Sequence, residues 1–468
     1  MFPLKERFRT AIDALRKRPA GIDTPEARSQ ERMRRVVLSF IAALAARVLS
    51  TGALFVTTRL TFQYLGAERY GMWMTIASMG LTFLVFADLG IGNGLLNMLS
   101  DAYGRRDMTA ARRAISSGTA LLIAVALVIG AGFAILWPFV SWPALFRVVT
   151  PLAASEAGPA MMIFVLTFLL NVPLGVVTRV QNGFQEGYLS NIWQVVGSLG
   201  SLIAIALVIR AEGGLPLLVA AAAGAPVVAT AANYVHQFWV ARPFLRPTPA
   251  LAEKKLANQL LRVGLLFLLL QLTSAATYHS DNLIVTRLFG SSAVAQYAVA
   301  NQLFSVVPVF ILMMVMPLWA AYGEALSRGD IGWVLITLRR SILLCIACGV
   351  AIAVPLVLLG RPLIHWWVGR DIAPPPLLLA GMAASAILLS GGNAVAVFLN
   401  GVGWVRFQVI LGLAVAVLAL TLKIVFARIF GVAGIAWGTA LGWALPCAYA
   451  YGILLPRRLA AMRRTTTP

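Results

Sequence analysis

The sequence predicts an all-α polytopic membrane protein with twelve transmembrane helices arranged as two six-helix repeats. The chain of 468 residues is 60% hydrophobic and only 12% charged, and its mean hydropathy is +0.85. A soluble protein of this size typically has about 25% charged residues. Apolar runs of about 20 residues recur along the chain, and each is long enough to cross roughly 30 Å of hydrocarbon.

These apolar runs define twelve predicted spans, at residues 36–60, 71–97, 114–137, 159–180, 190–210, 214–240, 260–285, 294–318, 338–360, 374–399, 406–427 and 432–455. When the N-terminus is placed in the cytoplasm, roughly three quarters of the 38 lysines and arginines fall in cytoplasmic loops and tails. Because positive residues are enriched on the cytoplasmic side of membrane proteins, this asymmetry predicts that both termini are cytoplasmic.

Short motifs recur in the same order in the two halves of the chain. Thr58-Arg59-Leu60 recurs as Thr286-Arg287-Leu288, Ala102-Tyr103-Gly104 as Ala321-Tyr322-Gly323, and Asn182-Gly183 as Asn400-Gly401. Each half holds six spans, so both halves enter the membrane in the same orientation. A substrate site at the interface of such parallel repeats is the expectation for a transporter.

The repeat predicts five segments: a basic cytoplasmic segment at 1–35, an N-terminal lobe at 36–240, a cytoplasmic linker at 241–259, a C-terminal lobe at 260–455 and a basic cytoplasmic tail at 456–468. The net charge of +21 lies mostly in short loops and tails, so membrane topology explains it better than nucleic-acid binding. The basic N-terminal segment is expected to lie on anionic membrane lipids.

The sequence lacks the residue patterns of an enzyme. The three histidines, His236, His279 and His365, are scattered without metal-ligand spacing, and no nucleotide-binding loop or paired nucleophile and base is present. We therefore expect no catalytic residue, no metal and no cofactor.

Arg47, near the middle of the first span, is the most informative polar residue. A charged group at that depth costs from about 2.5 kcal/mol to far more, so it must face water, a counter-charge or an anionic ligand. One interpretation is that Arg47 lines a cationic cavity that binds phosphate, since a guanidinium can bind two oxygens at once. The other is a buried ion pair, for example with Asp88, that holds the first two spans together.

The remaining polar candidates also have alternative interpretations. Asp88 lies in a glycine-rich stretch and is either a hinge or a coupling-ion residue, while Asp281, with His279 and Gln271 in the same span, is either a proton carrier or a structural group. Arg179 and Lys423 are possible helpers in substrate binding, although Lys423 could instead extend to the outer interface. Arg59 and Arg287 lie at matching outer ends of spans 1 and 7. They either line the cavity or anchor the helices at the membrane interface.

Several motifs in the first half occur in a known family. They are Tyr64-Leu65-Gly66, Tyr70-Gly71-Met72-Trp73, Asp88-Leu89-Gly90-Ile91-Gly92-Asn93 and Ser100-Asp101-Ala102-Tyr103-Gly104. On these motifs, and over residues 33–455, the chain resembles the polysaccharide exporters, the O-antigen (Wzx-type) flippases, of the multidrug/oligosaccharidyl-lipid/polysaccharide (MOP) superfamily.

The resemblance implies a V-shaped, two-lobed fold that gives alternating access to a central cavity. It also implies a substrate, an undecaprenyl-pyrophosphate-linked oligosaccharide, which moves from the cytoplasmic to the periplasmic leaflet of a bacterial inner membrane. Membrane lipids and the polysaccharide polymerase machinery are the implied partners.

Two relatives within the superfamily are alternatives. Lipid II flippases have an Arg-Val-Leu motif in the first span, similar to Arg47-Val48-Leu49, but further arginines follow theirs, whereas Leu54 and Phe55 occupy the next turns here. A multidrug antiporter would be expected to use acidic residues, while the cavity candidates here are mostly basic. A major-facilitator transporter and a membrane glycosyltransferase lack supporting motifs.

Overall fold

The computed structural model describes residues 25–86, 88–146, 148, 150–289, 291–368 and 374–454. Some side chains inside the helices, including those of Arg59 and His279, also lie outside the described residues, as does most of the predicted basic N-terminal segment and the tail at 456–468. The chain divides into two compact units, with the boundary between Leu265 and Leu266.

The helices are, in chain order, α1 (Pro25–Phe86), α2 (Ile91–Gly104), α3 (Met108–Leu136), α4 (Trp142–Phe146), α5 (Pro151–Leu174), α6 (Val176–Gly183), α7 (Gly187–Arg210), α8 (Leu215–Val235), α9 (Lys254–Phe289), α10 (Ser291–Phe304), α11 (Val306–Val315), α12 (Leu318–Ser327), α13 (Ile331–Val368), α14 (Pro376–Gly401), α15 (Val405–Phe430) and α16 (Val432–Tyr449). Short 3₁₀ and π turns join some of them.

The predicted all-α membrane fold is confirmed. Within the described residues, ten helical segments are long and apolar enough to cross a membrane, and each coincides with a predicted span. The other two predicted spans, 71–97 and 432–455, are also helical over most of their described length. The second span is not one continuous helix, because it is divided between the end of α1 and α2.

Two backbone irregularities shape the start of the first unit. Gly66 interrupts α1 with φ of 71° and ψ of 175°, a conformation that glycine adopts without steric cost. Between α1 and α2, Leu89 and Gly90 have φ of 47° and 73°, so the helix unwinds directly after Asp88. The glycine-rich stretch therefore interrupts the helix, as its composition suggested.

The segment that connects the two halves packs against the start of α3. The main-chain N–H of Thr248 donates to Ser116 Oγ at 3.1 Å, and that of Glu253 donates to Ser117 Oγ at 3.0 Å. Arg112 Nε donates to the Arg246 carbonyl oxygen at 3.1 Å. The segment is thus fixed to the first unit by hydrogen bonds from its own main chain.

The repeated motifs have the same packing role in each unit. In the first unit, a Cβ added to Gly183 would lie 2.7 Å from Leu99 Cβ on α2. In the second unit, a Cβ added to Gly401 would lie 2.8 Å from Tyr322 Cβ on α12. The glycine of each Asn-Gly motif therefore allows close approach to the helix that bears the Ala-Tyr-Gly motif, which gives the sequence repeat a structural basis.

In the second unit, α15 and α16 approach closely along a row of glycines. Added Cβ atoms at Gly434, Gly438 and Gly442 would overlap the backbone of α15. Small residues at this spacing let two membrane helices bring their backbones together. This close contact determines the environment of Lys423.

Candidate functional site

Lys423 on α15 forms a buried ion pair with Asp281 on α9. Its Nζ donates to Asp281 Oδ1 and to the main-chain oxygen of Thr277, one turn earlier on α9. The hydroxyl of Tyr297 on α10 donates to the other carboxylate oxygen at 2.5 Å. Both carboxylate oxygens therefore have a donor, and the lysine charge is balanced within the unit.

The burial of Lys423 follows from the glycine row on α16. The Lys423 side chain is 0% exposed, and a Cβ added to Gly438 would lie 2.5 Å from the main-chain nitrogen of Lys423. The α16 backbone thus covers the turn of α15 on which the lysine lies. The interpretation that Lys423 extends to the outer membrane interface is wrong, because its ammonium group is held by Asp281 and Thr277 inside the unit.

A cavity of about 140 Å³ lies beside the ion pair. Asp281 and Tyr297 form part of its wall, and the other polar or aromatic lining residues are Asn301, Phe304, Ser305, Ser385, Thr439 and Trp443. Asp281 is the only charged residue among the described lining residues, and Lys423 cancels its charge. The cavity wall is therefore mainly apolar, with several polar groups and no net charge.

A second ion pair, in the first unit, joins Arg179 on α6 to Asp88 at the helix break. Arg179 Nη2 donates to Asp88 Oδ2 at 3.1 Å, and Arg179 Nη1 donates to Asn93 Oδ1 at 3.1 Å. Asp88 also accepts the N–H groups of Gly90 at 2.9 Å and Gly92 at 3.2 Å. The carboxylate thus satisfies the free N–H groups at the start of α2.

The pairing of Asp88 contradicts one interpretation of Arg47. The sequence suggested an ion pair between Arg47 and Asp88, whereas the structure pairs Asp88 with Arg179. Gly92 makes this arrangement possible, because an added Cβ would lie 2.5 Å from both Arg179 Nε and Asp88 Oδ2. Arg179 is consequently bound to a carboxylate and not available as an isolated positive charge.

Arg47 is exposed on the helical segment Arg28–Ala53, which is long enough to cross a membrane. Among the described residues, no side chain forms a hydrogen bond or ion pair with it. The neighbouring face of α1 packs against α7, where Ser50 and Ser198 hydroxyls lie 2.9 Å apart. Thr51, one turn after Arg47, extends the polar character of the same face.

The remaining candidates are more peripheral. Arg287 is exposed near the end of α9, and Gln271 is half-buried on the same helix. The side chains of Arg59 and His279 lie outside the described residues. Within the described chain, no group of three or more histidine, cysteine or acidic residues could hold a metal ion.

Sequence reasoning missed a buried carboxylate, Glu156. It accepts two hydrogen bonds from Arg69, both at 2.7 Å, and a third from the N–H of Leu215 at 3.0 Å. The sequence placed Glu156 in an outer loop, whereas α5 already begins at Pro151. The signal was present, because Thr150 caps the helix and proline favours its first turn.

A family model of polysaccharide biosynthesis proteins matches residues 36–320 of the chain. A search of curated proteins returned no match. Among solved structures, a MATE transporter in the bent conformation is 18% identical, with a TM-score of 0.78 over 97% of this chain and 98% of the other.

Two further structures are similar. An outward-facing multidrug resistance MATE family transporter of the MOP superfamily is 19% identical, with a TM-score of 0.73 over 93% of this chain and 97% of the other. A MOP superfamily transporter from Pyrococcus furiosus, described as having a binding pocket of reverse polarity, is 18% identical, with a TM-score of 0.74 over 92% and 97% of the two chains. At these identities the similarity is one of fold.

Proposed function

We propose that this chain, which belongs to the family of polysaccharide biosynthesis proteins and to the MOP superfamily of transporters, is a flippase for undecaprenyl-pyrophosphate-linked oligosaccharide. It would move the lipid-linked glycan from the cytoplasmic to the periplasmic leaflet of a bacterial inner membrane. Such a substrate combines a prenyl chain that is soluble in lipid with a charged, hydrated head that is not. The protein must therefore lower the energy barrier for moving the charged head group across the hydrocarbon of the membrane.

The observation that supports this function most strongly is the exposure of Arg47 without a counter-charge among the described residues. Arg47 lies on a membrane-crossing helix. An arginine at this depth is costly unless a ligand or water compensates it. A pyrophosphate offers oxygens that the planar guanidinium can bind in pairs.

The ion pairs of the other charged candidate residues are consistent with an anionic substrate. Asp88 is paired with Arg179, and Asp281 is paired with Lys423. Neither carboxylate is an isolated negative charge of the kind that an antiporter of cationic drugs would need. The similar MOP superfamily transporter from Pyrococcus furiosus is described as having a binding pocket of reverse polarity, which suggests a different function for that protein. For these reasons the multidrug antiporter is the weaker candidate.

Deletion of the gene from its native host tests the proposed function. We expect surface polysaccharide to disappear and undecaprenyl-linked repeat units to accumulate on the cytoplasmic leaflet, with recovery by the plasmid-borne wild-type gene. Intact surface polysaccharide in the deletion strain, with no accumulated lipid-linked glycan, would contradict the proposal. Loss of cell-wall synthesis and accumulation of lipid II would instead identify a lipid II flippase.

A further inference from the structure

The second unit contains two neighbouring cavities that share part of their walls. The first is the cavity of about 140 Å³ beside Asp281, and the second has a volume of about 260 Å³. Pro308, Leu389 and Trp443 contribute to the lining of both. We infer that these two cavities bind neutral sugar residues of the transported glycan, an assignment that rests on the proposed function.

The charge of the lining selects the class of ligand. Among the described residues that line the two cavities, Asp281 is the only charged one, and Lys423 neutralises it. A cationic drug would therefore find no net negative charge, and a pyrophosphate would find no positive charge. A neutral molecule that has both C–H faces and hydroxyl groups matches walls that are mainly apolar but also contain asparagine, serine and threonine side chains.

Two side chains that line the larger cavity each have a buried polar atom without a partner in the described part of the chain. Asn393 Nδ2 and Gln408 Oε1 are buried, and neither has a hydrogen-bond partner among the described residues. A buried polar atom without a partner costs about 1–3 kcal/mol. Asn393 supplies a donor and Gln408 an acceptor, and a sugar hydroxyl can pair with either because it both donates and accepts.

Trp443 supplies the apolar surface between the cavities. Its indole ring lies directly against Gly392, where an added Cβ would overlap the ring. The absence of a side chain at Gly392 thus leaves the space that the ring occupies in the shared wall. One face of a pyranose is made of C–H groups and packs against such a ring, while its hydroxyls point towards polar groups at the edges.

The volumes limit how much of a glycan the two cavities can hold. An engineered protein cavity of about 150 Å³ binds benzene, so by the same scale the larger cavity has room for about one sugar residue and the smaller for part of a neighbouring residue. Asn301 in the wall of the smaller cavity is exposed, which gives this cavity an edge that is open to its surroundings.

Binding of two lipids to the full-length protein in phospholipid nanodiscs tests the inference. One is the undecaprenyl-pyrophosphate-linked repeat unit extracted from the native host, and the other is undecaprenyl pyrophosphate without sugar. We expect Asn393→Leu and Gln408→Leu each to weaken binding of the glycan-bearing lipid about five- to tenfold, the value of one lost hydrogen bond. Binding of the sugar-free lipid should stay unchanged.

Gln302→Leu is the matched control, because Gln302 is exposed on α10 and does not line either cavity. Thermal unfolding separates binding from folding: replacing an unpaired buried polar group by an apolar one should leave stability unchanged or raise it. Wild-type affinity of both variants for the glycan-bearing lipid, or equal weakening for both lipids, would overturn the sugar site alone. Failure of the wild-type protein to bind either lipid would overturn the proposed function and the sugar site together.

Discussion

Lys423 and Asp281, 142 residues apart in the sequence, form an ion pair in which the lysine side chain is 0% exposed. Tyr297 completes the hydrogen bonding of the carboxylate, so the cluster is both neutral and satisfied. In the sequence, a lone lysine in the outer part of a predicted span suggests a residue that binds substrate or extends to the membrane interface. Its partner makes it a structural element of the second unit.

Breaking this pair should destabilise the protein. Lys423→Met leaves a buried carboxylate without its counter-charge, and we expect a loss of about 3–5 kcal/mol. The double variant Lys423→Met with Asp281→Asn should recover most of that loss, since no charge then remains unpaired and Tyr297 keeps an acceptor. Thermal unfolding of the purified variants measures both effects. Additive losses in the double variant would contradict a direct pair.

The glycine row on α16 predicts a steric effect at Gly438. Its added Cβ would lie 2.5 Å from the main-chain nitrogen of Lys423. Gly438→Ala should therefore force α15 and α16 apart and lower the free energy of unfolding by about 1–3 kcal/mol or more. Gly332→Ala on α13 is the control, because nothing lies within 4 Å of its added Cβ. If both variants unfold at the same temperature as the wild type, the close packing of the two helices is not required.

The Arg179–Asp88 pair should hold the helix break between α1 and α2. Both side chains are partly exposed, so we expect Arg179→Ala to cost only about 1 kcal/mol in global stability. The local effect should be larger: amide hydrogen exchange at residues 88–93 should accelerate, since these N–H groups depend on a fixed carboxylate.

The appropriate control for this exchange measurement is Arg105→Ala. Arg105 also pairs with an aspartate, Asp101, but the two side chains are 66% and 46% exposed on the surface. Exchange at residues 88–93 should be unchanged in this variant. Equal exchange in the Arg179→Ala and wild-type proteins would show that Asp88 holds the break without Arg179.

The fold was predictable because hydropathy reports directly on helices that cross a membrane. Apolar length located the ten helical segments that are long enough to cross a membrane, and the glycines after Asp88 indicated the interruption of the predicted second span. The glycine row of α16 also has a regular spacing, which is a signal for close helix packing that the sequence contained.

The charge pairs could not be predicted in the same way. Asp88 pairs with Arg179, 91 residues away, although Arg47 is nearer in sequence. Which of two arginines contacts an aspartate depends on how the helices pack, and hydropathy gives no information on this. The polar lining at Asn393 and Gln408 was missed for a related reason, since single amides in apolar spans show no pattern until their helices surround one cavity.

The flipping rate of Arg47 variants in proteoliposomes that contain the undecaprenyl-pyrophosphate-linked glycan tests the role of this arginine directly. Arg47→Ala should slow flipping about tenfold or more, the value of a charged hydrogen bond to the pyrophosphate. Arg47→Lys should be intermediate, because it keeps the charge but not the paired donors. Arg210→Ala, which removes an exposed arginine at the end of α7, should match the wild type. A wild-type rate for Arg47→Ala would show that this arginine does not bind the anionic head group during flipping.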